Sequence, residues 1–127
     1  MKVKEIMHGI TVVKPETSVK EVAEIMTAKR IGSVLVEIAP LRYGILTERD
    51  ILTKVVANDV DPRQVRAKEV MTELRVTIDA EASVEKASEI LNVHHIRRLP
   101  VMKDGEIVGM VTARDVAKAC MRLFRRP

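Results

Sequence analysis

One seven-residue pattern occurs twice in this chain, and its repetition restricts the possible folds more than any other feature. The copies read Gly44-Ile45-Leu46-Thr47-Glu48-Arg49-Asp50 and Gly109-Met110-Val111-Thr112-Ala113-Arg114-Asp115. Each follows an apolar run that alternates like a strand and precedes residues spaced like a helix. The pattern therefore marks a strand-to-helix corner with threonine at the helix entrance. A helix entrance offers unpaired N–H groups and the positive end of the helix dipole, a seat suited to phosphate. A hydroxyl and a carboxylate three residues apart suit a phosphate and a sugar diol respectively. The same spacing resembles a capping box with aspartate in place of the usual Glu or Gln. In that reading Thr47 and Thr112 cap their helices, and Asp50 and Asp115 reach back. A cap alone does not require the glycine, and the two roles are compatible.

The threonines stand 65 residues apart (47 to 112), and other segments keep that step. Ser18-Val19 matches Ser83-Val84, and Glu24-Ile25-Met26 matches Glu89-Ile90-Leu91. Lys4-Glu5-Ile6-Met7 and Lys68-Glu69-Val70-Met71 open the halves at a step of 64 (4 to 68), so one residue is inserted between these points. The chain is a tandem duplication.

In the first copy the pattern predicts a helical turn over 3–7 and a strand over 11–13. A helix to residue 30 follows, capped by Ser18 with Glu21 completing the box. Strands are expected at 33–36 and 43–46 around a turn at Ala39-Pro40-Leu41. A helix over 48–57 then places Ile51, Leu52, Val55 and Val56 on one side. Residues 58–66 are polar, contain Asp61-Pro62 and read as the linker. The second copy predicts a strand at 76–78, a helix from Ser83 to residue 94, strands at 99–102 and 107–111 around Asp104-Gly105, and a helix over 113–124. The expected fold is α/β (α+β): two β-α-β-β-α repeats, residues 1–60 and 61–127, intertwined in one module. Repeats of about 60 residues bury little surface alone. They are expected to pack about a pseudo-two-fold axis, with a cleft near each corner.

Composition narrows the function. Apolar residues are 46% and charged residues 31%, as in globular domains. No apolar run approaches the ~20 residues of a membrane span. The opening residues lack a signal-peptide core, and one cysteine allows no internal disulfide, so a cytoplasmic location is expected. The net charge of +4, with Arg122, Arg125 and Arg126 near the end, raises nucleic-acid binding as a third reading. With only Tyr43 and Phe124 as aromatics, single-strand stacking is disfavoured, and the arginines read as a solvated helix end.

The two corners, Arg98-Leu99-Pro100-Val101, the Glu-Ile-Met and Glu-Val-Met openings and the repeat length together resemble a tandem pair of CBS domains, also called a Bateman module. The resemblance covers essentially the whole chain. It implies a non-enzymatic regulatory module that binds an adenosyl ligand: AMP, ADP, ATP or S-adenosylmethionine. Asp50 and Asp115 would hold ribose hydroxyls and Thr47 and Thr112 would contact phosphate, with Gly44, Ile45, Gly109 and Met110 in the same corners. Val12, Val13, Val34, Val76, Thr77 and Leu99 would clamp the adenine, and Arg98, beside Pro100, would face the phosphates. The family commonly dimerises. The first copy departs from the pattern, with Gly32-Ser33-Val34-Leu35 where the second has Arg97-Arg98-Leu99-Pro100. The two clefts are therefore expected to be inequivalent.

Other residues carry weaker signals. His94 and His95 are adjacent and do not share a helix face, which disfavours joint metal ligation. His8 stands alone. Cys120 and the methionines Met7, Met26, Met71, Met102 and Met110 read as core residues. The expectation is an energy- or metabolite-sensing module that needs no cofactor, acts on a partner in trans and forms a homodimer. The runner-up is a ligand-independent interaction scaffold.

Overall fold

A computed structural model describes residues 1–124, the side chains of 123 and 124 excepted. Arg125 and Arg126, and the side chains of Leu123 and Phe124, lie outside the described residues. The chain divides into two compact units. One is continuous, Thr11–Leu74, and contains Thr47; the other joins Met1–Ile10 to the residues from Arg75 onward and contains Thr112.

In the Thr47 unit, β1 (Val12–Val13) runs parallel to β2 (Ser33–Ala39), which pairs antiparallel with β3 (Arg42–Thr47). A short β4 (Thr72–Glu73) closes the far edge of β3. The helices are α1 (Val19–Lys29), α2 (Glu48–Ile51) and α3 (Ala67–Val70). Strand alternation sends Val34, Val36 and Leu46 into a core shared with Val19, Val22 and Met26 of α1, at helical spacing. Ser18 Oγ accepts the Glu21 N–H at 3.2 Å, while the Glu21 side chain is exposed. Arg30 closes α1 in the left-handed conformation, φ 54°.

The Thr112 unit repeats the plan. β5 (Ile78–Asp79) is parallel to β6 (Arg98–Lys103), and β6 is antiparallel to β7 (Glu106–Thr112), with α4 (Val84–Val93) and α5 (Ala113–Phe124). The Asp104-Gly105 turn has positive φ at both residues, 51° and 80°, which glycine takes without strain. Leu99, Val101 and Val111 meet Ile78, Val84, Ala87, Leu91 and Val116 in the core.

Three expectations change. Residues 58–66 do not run free between repeats. The Val65 and Pro62 carbonyls accept the Val19 and Lys20 N–H groups at 2.9 and 3.1 Å, satisfying donors at the start of α1 that have no partner in the helix. The opening segment does the same for α4: the Met1 carbonyl accepts the Val84 N–H at 3.0 Å, and Val3 is fully buried in that unit's core. The compact units thus exchange the segments that open the sequence repeats, and the chain passes between units after residues 10 and 74. Lys2 and Lys4 also reach Glu81, each at 2.8 Å, and their hydrogen bonds hold its carboxyl down at about 2. These exposed pairs add little stability.

The second change concerns α2, which widens after one turn into a π-helix, Leu52–Val56, where the Ala57 N–H reaches back five residues to Leu52. That winding keeps Val55 in the core, 1% exposed, and turns Leu52 and Val56 outward at 60% and 63%. The third concerns Cys120, which is exposed because the buried stripe of α5 is Val116 and Ala119.

The corner glycines have a packing reason. A Cβ on Gly44 would collide with the Met71 sulfur and lie 3.0 Å from its Cγ. A Cβ on Gly109 would lie 2.9 Å from Met7 Cγ and 2.9 Å from the His8 carbonyl oxygen. Each opening methionine is therefore seated on a corner glycine. Gly109→Ala is expected to destabilise by about 1–3 kcal/mol, the usual cost of overpacking, because a backbone carbonyl must move. Gly44→Ala is expected to cost less, because only a flexible side chain must yield, and Met71→Ala is expected to relieve it. Urea unfolding of the four proteins measures this; equal costs at the two glycines would refute it.

Candidate ligand-binding site

Both corners form complete capping boxes. Thr112 donates its N–H and its hydroxyl to Asp115 Oδ2 at 2.9 and 2.8 Å, and the Asp115 N–H donates to Thr112 Oγ1 at 3.1 Å. Thr47 and Asp50 make the same three bonds at 2.8, 3.0 and 3.3 Å. The Ala113 N–H goes to the Arg97 carbonyl at 2.9 Å, and the Glu48 N–H to the Gly32 carbonyl at 3.0 Å. The helix entrances thus use on their own caps many of the donors a phosphate would need. Each hydroxyl must likewise release its aspartate before it can donate elsewhere.

The outward oxygens are different. Capping occupies only Oδ2, so Oδ1 faces away from the cap in both corners. Asp115 Oδ1 lies 2.5 Å from His8 Nε2; Asp50 Oδ1 lies 3.2 Å from Lys54 Nζ, which also donates to the Val70 carbonyl at 2.9 Å. Burial pushes the Asp115 carboxyl up, but the Thr112 N–H, His8 and the Thr112 hydroxyl pull it further down, so it stays below the usual carboxylate range.

Register decides which residues share the threonine face. Arg98 pairs with Thr112 and Ser33 with Thr47, so each pair projects to one side of its sheet. Pro100 opposite Met110, and Leu35 opposite Ile45, continue that side. Arg98 is half-buried and has no carboxylate partner among the described residues. Val12 lies beside Leu35 and is 44% exposed. Thr77 is exposed just before β5.

Several expected adenine contacts are placed elsewhere. Val34, Val13 and Leu99 are 2%, 8% and 0% exposed and belong to the cores, and Val76 packs against one. The period of two in a strand turns Val13, Val34 and Leu99 away from the threonine face, while Val76 precedes β5. Leu35 and Pro100, one residue further on, turn to the opposite face but are themselves buried, under 2% exposed. His8, which the sequence left standing alone, and Lys54, which it did not single out, hold the two outward oxygens. His8 has no histidine at the matching position of the other copy, where Thr72 stands, so duplication gave no signal.

His94 and His95 are exposed, and among the described residues no group of three or more His, Cys, Asp or Glu is placed to hold a metal. No described helix is long and apolar enough to cross a membrane.

Two sheet-and-helix units, each with a capped Gly-x-x-Thr-x-x-Asp corner, define a tandem-domain architecture. Residues 3–57 and 67–122 match the family model of the CBS domain, and the chain belongs to that family as a CBS-pair regulatory module. It is 32% identical over 117 residues to Hypoxic response protein 1 of Mycobacterium tuberculosis, covering 91% of this chain and 82% of that protein. Among solved structures, the hexameric CBS-CP12 protein from bloom-forming cyanobacteria has a TM-score of 0.89 at 26% identity, covering 100% of this chain and 76% of that one. CBSX2, solved in complex with AMP, has a TM-score of 0.82 over 98% of this chain and 99% of its own; at 24% identity the likeness is one of fold.

The lowered Asp115 carboxyl sets an acid limit. Its folded value lies below its unfolded value, so its contribution is fully present above about pH 4 and is lost as pH falls through the folded value. Asp115→Asn is expected to cost about 1 kcal/mol near neutrality, as for a lost cap, and to approach wild type in strong acid. Melting temperatures from pH 7 to pH 2 test this; a gap that does not narrow in acid would refute it.

Proposed function

We propose that the chain is a non-enzymatic sensor that binds an adenosyl ligand at the Thr112 corner and thereby changes its affinity for a protein partner. The observation that carries the reading is the combination of a capped carboxylate with its outward oxygen aimed away from the cap and a half-buried Arg98, unpaired among the described residues, in register with Thr112. A ribose hydroxyl donating to Asp115 Oδ1 leaves the cap intact. A guanidinium beside it suits a phosphate in one or two hydrogen bonds. The Thr47 corner has the same carboxylate but Ser33 in place of the arginine, so it is the weaker site.

The ligand shifts the partner only by its differential affinity for two states of the module. Self-association into a homodimer belongs to the same reading, since Leu52, Val56, Val93 and Met121 expose 53% to 63% of their surface. Sedimentation at micromolar concentration is expected to give a dimer, and a monomer would count against it.

Calorimetry with AMP, ADP, ATP and S-adenosylmethionine tests the ligand, with AMP first because the same fold holds it in CBSX2. Binding is expected to weaken with salt and with Arg98→Ala. Asp115→Ala is expected to lower affinity ten- to hundredfold, the loss of a charge-assisted hydrogen bond of about 1.5–3 kcal/mol, and Asp50→Ala less. No heat and no thermal shift with any of the four would favour the ligand-independent scaffold. An early-melting Asp115→Ala that binds normally would make the aspartate a cap alone.

A further inference from the structure

We propose that His8 is a removable occupant of the ligand's place on Asp115, closing the Thr112 corner until an adenosyl ligand displaces it. This rests on the reading of Asp115 as the sugar-binding carboxylate. Because Oδ2 is committed to Thr112, Oδ1 is the oxygen a ligand hydroxyl must reach, and His8 Nε2 already stands 2.5 Å from it. A ring in that position excludes a diol from the same approach.

The backbone and side chain of His8 are held very differently. Its N–H donates to the Met110 carbonyl at 2.8 Å, and its carbonyl accepts the Met110 N–H at 2.9 Å. Its neighbour Met7 sits on Gly109. The His8 backbone therefore cannot leave without undoing the opening segment. The side chain is 64% exposed, and its one ion pair or hydrogen bond among the described residues is to Asp115. Rotation about the side-chain bonds alone withdraws the ring into water and leaves the fold and the cap untouched.

The Thr47 corner lacks this device. Thr72 pairs with Ile45 as His8 pairs with Met110, but Asp50 Oδ1 is held by Lys54 from its own helix turn. Lys54 is anchored a second time on the Val70 carbonyl. One corner thus carries a swinging occupant and the other a fixed cation. A contact that is exposed on the histidine side is weak, so a ligand can displace it at modest cost. The expected penalty is about two- to fivefold in affinity, or about 0.4–1 kcal/mol at about 1.4 kcal/mol per decade.

The test is AMP titration of the full chain by calorimetry, with His8→Ala, Asp115→Ala and the double variant beside wild type. Histidine-ring NMR follows the same titrations. His8→Ala is expected to bind AMP two- to fivefold more tightly, and the gain is expected to vanish when Asp115 is also replaced. The His8 ring resonances are expected to move on AMP addition toward their positions in Asp115→Ala without ligand. Unchanged or weaker binding by His8→Ala, or a gain that persists without Asp115, overturns the proposal while leaving the ligand site standing. If neither wild type nor His8→Ala binds AMP or the other three ligands, the ligand reading fails and the proposal fails with it.

Discussion

The contact on which the rest of the structure depends is a methionine lying on a glycine. Met7 covers Gly109 and Met71 covers Gly44, and in each case a β-carbon on the glycine would collide with the methionine side chain. The glycine leaves a gap on the last strand before the helix, and the methionine of an opening segment fills it. Because the methionine belongs to the opening of one repeat and the glycine to the corner of the other, the contact also fixes which opening serves which unit. The backbone bridge between His8 and Met110, and β4 on β3, follow from that seating. The same contact sets the approach of His8 to Asp115.

The duplicated plan yields two unequal corners, and the inequality comes from few residues. The threonine, the aspartate and their three hydrogen bonds are common to both. Around that shared frame, Arg98 stands opposite Ser33 in the alignment of the copies, Pro100 opposite Leu35, and His8 opposite Thr72. The Thr112 corner has Arg98 in register with its threonine and the His8 ring against its aspartate. The Thr47 corner has a lysine bound into its own helix turn. Capping is thus the structural minimum that both corners satisfy, and the differences between them lie in residues outside the motif.

Most of the fold was legible because the signals were local or repeated. Ser18 and Ser83 start their helices as their types dictate, Asp104-Gly105 turns as its φ preferences require, and the 65-residue step aligned the rest. What escaped depended on tertiary partners. The π-winding that exposes Leu52 and Val56 leaves no mark in apolar spacing, and the docking of residues 58–66 onto α1 rests on backbone carbonyls that carry no side-chain signature. In the candidate site, the motif gave the threonines and aspartates. Strand parity sorted the flanking residues: Leu99 and Val34 match the resemblance by position but turn their side chains to the core. The pair of His8 with Asp115 spans 107 positions of sequence and occurs in one copy alone.

The exchange of opening segments also imposes an order in time. Residues 11–74 are contiguous and form a compact unit, so that unit can close as soon as it has been synthesised. Residues 1–10 are made earlier, yet Val3 bonds to Ala82 and His8 to Met110, so their partners appear only after the whole of the other unit. Until then Val3 and Met7 stay unburied, and the loop they must close spans most of the chain. Such distant contacts form slowly, which makes docking of the first ten residues a late step in folding.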